Sequence, residues 1–260
     1  MLPRCDYHIH TQYLKCANGT MTIPAIVAKA VELGQTAIGI TDHLNTLDKL
    51  PLHGDIRRDL EALDAPGIDI HFGVELNYMA CDGEFAWSED VRDELGFQFA
   101  IGGIHATYVT EYDLAKIVDN QHRHHLATCR NPLCDVLVHP YWFGKGGFDK
   151  NDWPWFDSMK AVPESYAREL GQVAKETGTA IEINGCANLI NPAYSAQFVE
   201  EYAEYLAIIA EEGCLFSIGS DAHDINRMSA AIDARKMAER IGLTADRIWL
   251  PQAKPFISAQ

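Results

Sequence analysis

Seven short apolar runs recur along the chain, and five of them end at or just before a histidine. They occupy residues 5–10, 37–41, 68–76, 99–105, 135–139, 180–184 and 215–220. Each is rich in Ile, Val or Phe, and most read as strands buried on both faces. Their starts lie roughly 30 to 45 residues apart, the length of a βα unit. The intervening segments read as helices. The stretch 23–33 follows Thr22, has Pro24 in its first turn and ends at Gly34. Ile26, Val27, Ala30, Val31 and Leu33 give it an apolar stripe of helical period. Stretches 162–177, 195–212 and 228–241 end the same way, at Gly178, Gly213 and Gly242. Seven such units predict an α/β fold with an all-parallel sheet, either closed into a barrel or open and doubly wound. No Gly-x-Gly-x-x-Gly follows the first run, so a dinucleotide fold has no support. No internal linker is visible, and the reading is one domain over 1–260 with an irregular tail after Leu250.

Lys plus Arg number 21 against 37 Asp plus Glu, a formal charge of −16. That balance argues against long nucleic acid, whose affinity rests on cations at phosphates. It leaves room for one small phosphate ester in a locally positive pocket. The seven cysteines form no Cys-x-x-Cys pair, so neither a zinc ribbon nor a disulfide framework is indicated. The expectation is a reduced, cytoplasmic protein without a signal peptide or membrane span.

The chemistry gathers where the runs end. They close on His8 and His10, on Asp42-His43, on Glu75, on His105, on His139-Pro140 and on Asp221-Ala222-His223. In parallel α/β folds the carboxyl ends of strands share one face, where active sites collect. His8 and His10 stand two apart on a strand and point the same way. Imidazole with carboxylate suits Zn²⁺, Mn²⁺ or Fe²⁺. These are too many ligands for one ion, which predicts two or three.

This ordered set, from Asp6-x-His8-x-His10-Thr11 through Thr41-Asp42-His43, Gly73-Val74-Glu75, His105 and His139-Pro140 to Ser220-Asp221-Ala222-His223, resembles the motifs of the PHP (polymerase and histidinol phosphatase) superfamily. The resemblance implies a distorted (β/α)₇ TIM-like barrel with outer helices, a di- or trinuclear metal site and phosphoesterase activity. Carried onto this chain, His8, His10, Glu75 and Asp221 would bind the first ion. Glu75 would bridge to a second held by His105 and His139, and His43 and His223 would bind a third. Three-ion members often carry a further histidine where this chain has Cys16. A thiolate there is a good Zn²⁺ ligand, and the alternative is a small buried thiol.

Two or three cations would neutralise the repulsion between a phosphate ester and hydroxide, and would lower the pKa of bound water toward about 7. Glu75, Asp221 and His223 are thus the catalytic candidates, the last two as proton carriers. Asp6 and Asp42 either orient imidazoles or cap their loops. Arg227 and Lys145 are candidate clamps for the substrate phosphate. Trp142, Phe143, Trp153 and Trp155 suggest a stacking wall or simple loop packing. His122, Arg123, His124 and His125 read as a solvated helix face, His71 as a packed histidine, and Glu182 and Asn184 as groups at the site rim.

The leading expectation is a metal-dependent phosphatase acting on a small organic phosphate, histidinol phosphate or a nucleotide monophosphate. An amidohydrolase-like hydrolase, a nuclease-type phosphodiesterase and a non-catalytic metal-binding module are the alternatives.

Overall fold

A computed structural model describes residues 1–64, 66–77 and 86–259. The strands are β1 (Cys5–Ile9), β2 (Ala37–Ile40), β3 (His43–Leu44), β4 (Asp69–Asn77), β5 (Phe99–Gly103), β6 (Val136–Leu137), β7 (Ala180–Asn184) and β8 (Phe216–Gly219). The helices are α1 (Ile23–Glu32), α2 (Leu50–Glu61), α3 (Glu89–Leu95), α4 (Leu114–Arg130), α5 (Lys145–Lys150), α6 (Glu164–Thr177), α7 (Ala196–Glu211) and α8 (Ala230–Arg240). The seven main strands pair in parallel in the order β1-β2-β4-β5-β6-β7-β8, and two-residue β3 pairs with β4. The amide of Asp221 donates to the His8 carbonyl (2.8 Å) and that of His10 to the Ala222 carbonyl (3.3 Å), which joins the last strand to the first. The sheet is therefore a nearly closed (β/α)₇ barrel, and the open doubly wound alternative falls away.

Local chemistry sets the helix limits. The Thr22 side chain accepts from the Ala25 amide, and Ser195 does the same for Phe198, so both helices begin with a satisfied donor. Gly178 ends α6 in the left-handed region at φ +78°, where glycine carries no Cβ penalty. One member of the expected α1 stripe is misplaced: Val31 is 48% exposed while Ile23, Ile26, Val27 and Ala30 are buried. The run at 135–139 also shrinks to Val136–Leu137. His139 leaves the extended region at φ +30°, and Pro140 has no amide to continue the ladder.

The barrel interior is filled by aromatic rings. Phe99 packs edge-on to Tyr7 at a centroid separation of 6.1 Å and lies 5.6 Å from Trp249. Its ring occupies the space above Gly39 and Gly73, where an added Cβ would come within 2.7 and 2.6 Å of it. Gly73→Ala is expected to cost about 1–3 kcal/mol by overpacking, measurable as a lower urea midpoint at unchanged slope.

One surface expectation changes. His122, His124 and His125 are buried in α4, not solvated. His122 Nδ1 lies 3.0 Å from the Tyr141 hydroxyl and its Nε2 3.0 Å from Glu169, while His125 Nε2 accepts from the Tyr141 amide. These partners come from distant segments, which a local reading of α4 does not contain. His71 is buried edge-on against Tyr7, as expected. The tail is irregular but tied down, since Ile257 and Ile70 exchange backbone hydrogen bonds. Among the described residues no helix is long and apolar enough to cross a membrane. The described cysteines are free; Cys81 lies outside the described residues.

Candidate metal centre

Parallel pairing carries the strand ends to one rim. His8 and His10 arrive from β1 and its exit, His43 from β3 and Glu75 from β4, in register beside it. His105 and His139 follow β5 and β6, and Asp221 and His223 follow β8. Their donor atoms converge. His8 Nε2 and His10 Nε2 are 3.0 Å apart, and each lies 3.4–3.6 Å from both Glu75 Oε2 and Asp221 Oδ1. The other carboxylate oxygen, Glu75 Oε1, stands 3.1 Å from His105 Nε2 and 3.3 Å from His139 Nε2, which are 3.1 Å from each other. Donors on a tetrahedron with ordinary zinc–ligand bonds are separated by roughly 3.3 Å, so both groups have the span of a coordination shell.

The electrostatics agree. Glu75 is fully buried, and no lysine or arginine pairs with it or with Asp221 among the described residues. Buried carboxylates need cationic partners, and imidazoles alone supply them here. Burial opposes ionisation of Glu75, but His43, His8 and His105 outweigh it and hold the carboxyl well below its usual range. Burial likewise opposes charging of His8, yet the carboxylates of Glu182, Asp221 and Glu75 pull its pKa well above that of free imidazole. Burial and the neighbouring His43 push His10 far down. Glu75 Oε2 is fully buried 2.6 Å from His43 Nδ1, yet no N–H meets it in hydrogen-bonding geometry. A buried carboxylate oxygen ringed by imidazole nitrogens that do not hydrogen-bond it has the surroundings of a metal ligand, and the donor set fits divalent metal ions.

A third group adjoins the first two. Donor atoms of His10, Cys16, His43 and His223 all lie within 4.8 Å of one another, with Cys16 on the exposed side. His43 Nδ1 is 2.6 Å from Glu75 Oε2, and the His10 ring stacks on His223 at 4.1 Å. The structure thus brings together all nine residues expected from the sequence to meet metal.

The two aspartates behave as loop ties. Asp6 Oδ1 accepts from the amides of Ser220 (2.8 Å) and His8 (3.3 Å), and Asp42 accepts from the amide and hydroxyl of Thr11. Burial raises both carboxyls to about 7. Neither takes an imidazole proton in these contacts. Glu182 does that instead: its Oε1 is 2.7 Å from His8 Nδ1, and its Oε2 accepts from the His139 amide at 2.7 Å. The sequence placed Glu182 at the rim without that role; the signal was its inward register on β7, one strand from Asp221.

The backbone around the ligands is strained. His139, Tyr141 and Asp221 adopt φ of +30°, +57° and +57°, unfavourable for side chains with a Cβ. Neighbours hold the His139–Tyr141 turn in place. Besides Glu182, the Tyr202 hydroxyl donates to the Pro140 carbonyl (3.1 Å), and His125 receives the Tyr141 amide (3.1 Å). After β7 a π-helical turn, closed by Ile190 N–H to Gly185 O at 2.9 Å, delivers Cys186 and Ala187 to the same rim. Such turns recur at functional sites.

The groups open into a cavity of 360 Å³ lined by His43, His105, His139, Trp142, Asp221 and His223, among others. Arg227 lines an adjoining hollow with Asp221 and His223. Lys145 lines a different cavity and pairs with Asp149. Of the loop aromatics, Trp142 faces the site, whereas Phe143 is buried and Trp153 and Trp155 pack on the core.

Comparison with known proteins gives the same frame. A candidate histidinol phosphatase from Listeria monocytogenes shares the fold with a TM-score of 0.59 at 16% identity, covering 86% of this chain and 97% of that one. An archaeal fructose-1,6-bisphosphate aldolase (TM-score 0.40, 12% identity, 91% and 83% covered) is more distant. So is dihydropteroate synthase from Thermus thermophilus (0.41, 12%, 95% and 86%). No curated protein sequence matches the chain. The model of the PHP domain matches residues 6–220, and the chain belongs to the PHP domain family.

Proposed function

We propose that the protein is a metal-dependent phosphatase of small phosphate monoesters. The observation that carries this reading is the Glu75 carboxylate, whose two oxygens face separate groups of imidazoles at coordination-shell separations. His8, His10, Glu75 and Asp221 would hold one divalent ion, and Glu75, His105 and His139 a second. His43, His223 and Cys16 would hold a third. Zn²⁺, Mn²⁺ and Fe²⁺ all suit this donor set. When bound, such ions neutralise phosphate charge and make water nucleophilic at neutral pH.

The chain's own groups do the rest. Glu75 fixes the relative placement of the two imidazole sets. Glu182 holds the His8 ring by its Nδ1 and so aims Nε2 into the cluster. His223 has 37% of its side chain exposed at the cavity mouth, with Nδ1 3.1 Å from the Asp221 carbonyl. Where it is not committed to a third ion, its ring is placed to deliver a proton to the departing alcohol. Arg227, on the lip beside it, would take phosphate oxygens in a bidentate fork. Histidinol phosphate is one substrate consistent with the structural neighbour's description. The −16 charge disfavours long nucleic acid, and a small phosphorylated metabolite is the partner expected.

The test is a panel of phosphate monoesters, diesters and amides assayed with Mn²⁺, Zn²⁺ or Fe²⁺. Phosphate release from monoesters, abolished by chelator and restored by metal, is the expected result. Faster cleavage of amides or diesters would assign the site to another hydrolase class. Arg227→Gln should raise KM by about tenfold, for one lost charge-assisted pair, with metal content unchanged.

A further inference from the structure

A second cavity, of 540 Å³, adjoins the metal centre and shares His105, Trp142 and Asn191 with it. Its volume is that of a site for an organic molecule. Trp142 stands at the junction, its ring centroid 5.9 Å from that of His105 and 5.3 Å from that of His139. The far wall is built from Gly144, Lys145, Gly146, Gly147 and Lys150. An added Cβ at Gly146 or Gly147 would meet nothing within 4 Å, so open space lies beside this backbone.

The charge of that wall is unlike the rest of the molecule. In a chain of net charge −16, no carboxylate among the described residues lines this cavity, while two ammonium groups do. Lys145 is offset by Asp149, which lies outside the lining. No ion pair holds Lys150 among the described residues. A locally positive recess in an acidic protein selects for negative charge. A phosphate ester seated at the metal centre would direct its organic part past Trp142 toward these lysines.

Resting on the phosphatase reading, we propose that the recess binds a second anionic group of the substrate. The substrate class is then a small organic phosphate whose alcohol portion bears a carboxylate or a further phosphate, which sets aside histidinol phosphate, whose alcohol portion carries an ammonium and an imidazole instead. Lys150 supplies the unpaired charge and Lys145 shares its own with Asp149. This sets Lys145 apart from Arg227: it reads the far end of the substrate, not the phosphate that is cleaved.

The experiment compares para-ethylphenyl phosphate with its para-carboxymethyl and para-phosphonomethyl counterparts, whose phenols are similar leaving groups. The matching benzylphosphonates, which are not hydrolysed, report binding by calorimetry on the Mn²⁺-loaded protein. The anionic compounds should exceed the ethyl compound about tenfold in kcat/KM and in affinity, the scale of one charge-assisted pair. Lys150→Glu should bring that ratio to one or below. Asp149→Asn, which frees Lys145, should raise it. A gain confined to the carboxylate or to the phosphonate upholds the recess and names its ligand. A ratio near one in the native protein, or one that neither variant moves, overturns the proposal. Preferential phosphonate binding without turnover of any ester would refute the phosphatase reading and leave the recess standing.

Discussion

Glu75→Gln is expected to lower phosphate release by about a thousandfold or more, since losing a charged contact to the metal ions removes several kcal/mol of transition-state stabilisation. The substitution keeps the side chain's shape but removes the charge facing both imidazole groups. Oε2 lies 3.5 and 3.4 Å from His8 and His10, and Oε1 lies 3.1 and 3.3 Å from His105 and His139. Both groups should therefore weaken together. Metal per chain, measured by plasma mass spectrometry after dialysis, should fall with activity while far-ultraviolet circular dichroism stays native. A variant that kept its metal and its rate would remove Glu75 from the centre of the account.

Glu182 acts from behind the ligands, and its loss should be felt twice. Glu182→Gln weakens the hold on His8 Nδ1, and metal affinity should fall about 10- to 100-fold. Glu182→Ala also strips the His139 amide of its acceptor inside the barrel. Breaking a buried charged contact costs about 3–5 kcal/mol, or roughly 10 °C in Tm for a chain of this length. The neighbourhood allows little repair: Gly219 packs so closely that a Cβ there would sit 2.0 Å from Glu182 Oε1. Asp6→Asn is the control. Asp6 ties the amides of His8 and Ser220, so its substitution should lower stability more than metal affinity. The reverse order would exchange the roles given to these two carboxylates.

The sequence carried much of this site because the fold repeats one device. Each βα unit delivers its strand's carboxyl end to the same rim, so a polar residue closing an apolar run is informative without knowledge of its neighbours. That is why His10, Glu75, His105 and Asp221 were legible. Roles that depend on pairing between distant segments were not. Glu182 and Asp6 are both buried acids on strands, and only the closed barrel shows which one meets an imidazole. The α4 histidines failed for the same reason. His122 finds Glu169 and Tyr141, and His125 finds the strained turn after His139. A helical wheel of α4 contains neither. Strain was equally hidden: nothing local marks His139, Tyr141 or Asp221 for positive φ, since glycine is absent from all three positions.

Anomalous diffraction from crystals of the protein reconstituted with Zn²⁺ or Mn²⁺ tests the central claim most directly. The account predicts at least two peaks, one about 2.0–2.2 Å from Glu75 Oε2 with His8, His10 and Asp221 around it, and one at similar distance from Oε1 with His105 and His139. Metal located elsewhere, or none at Glu75 after reconstitution, would contradict it.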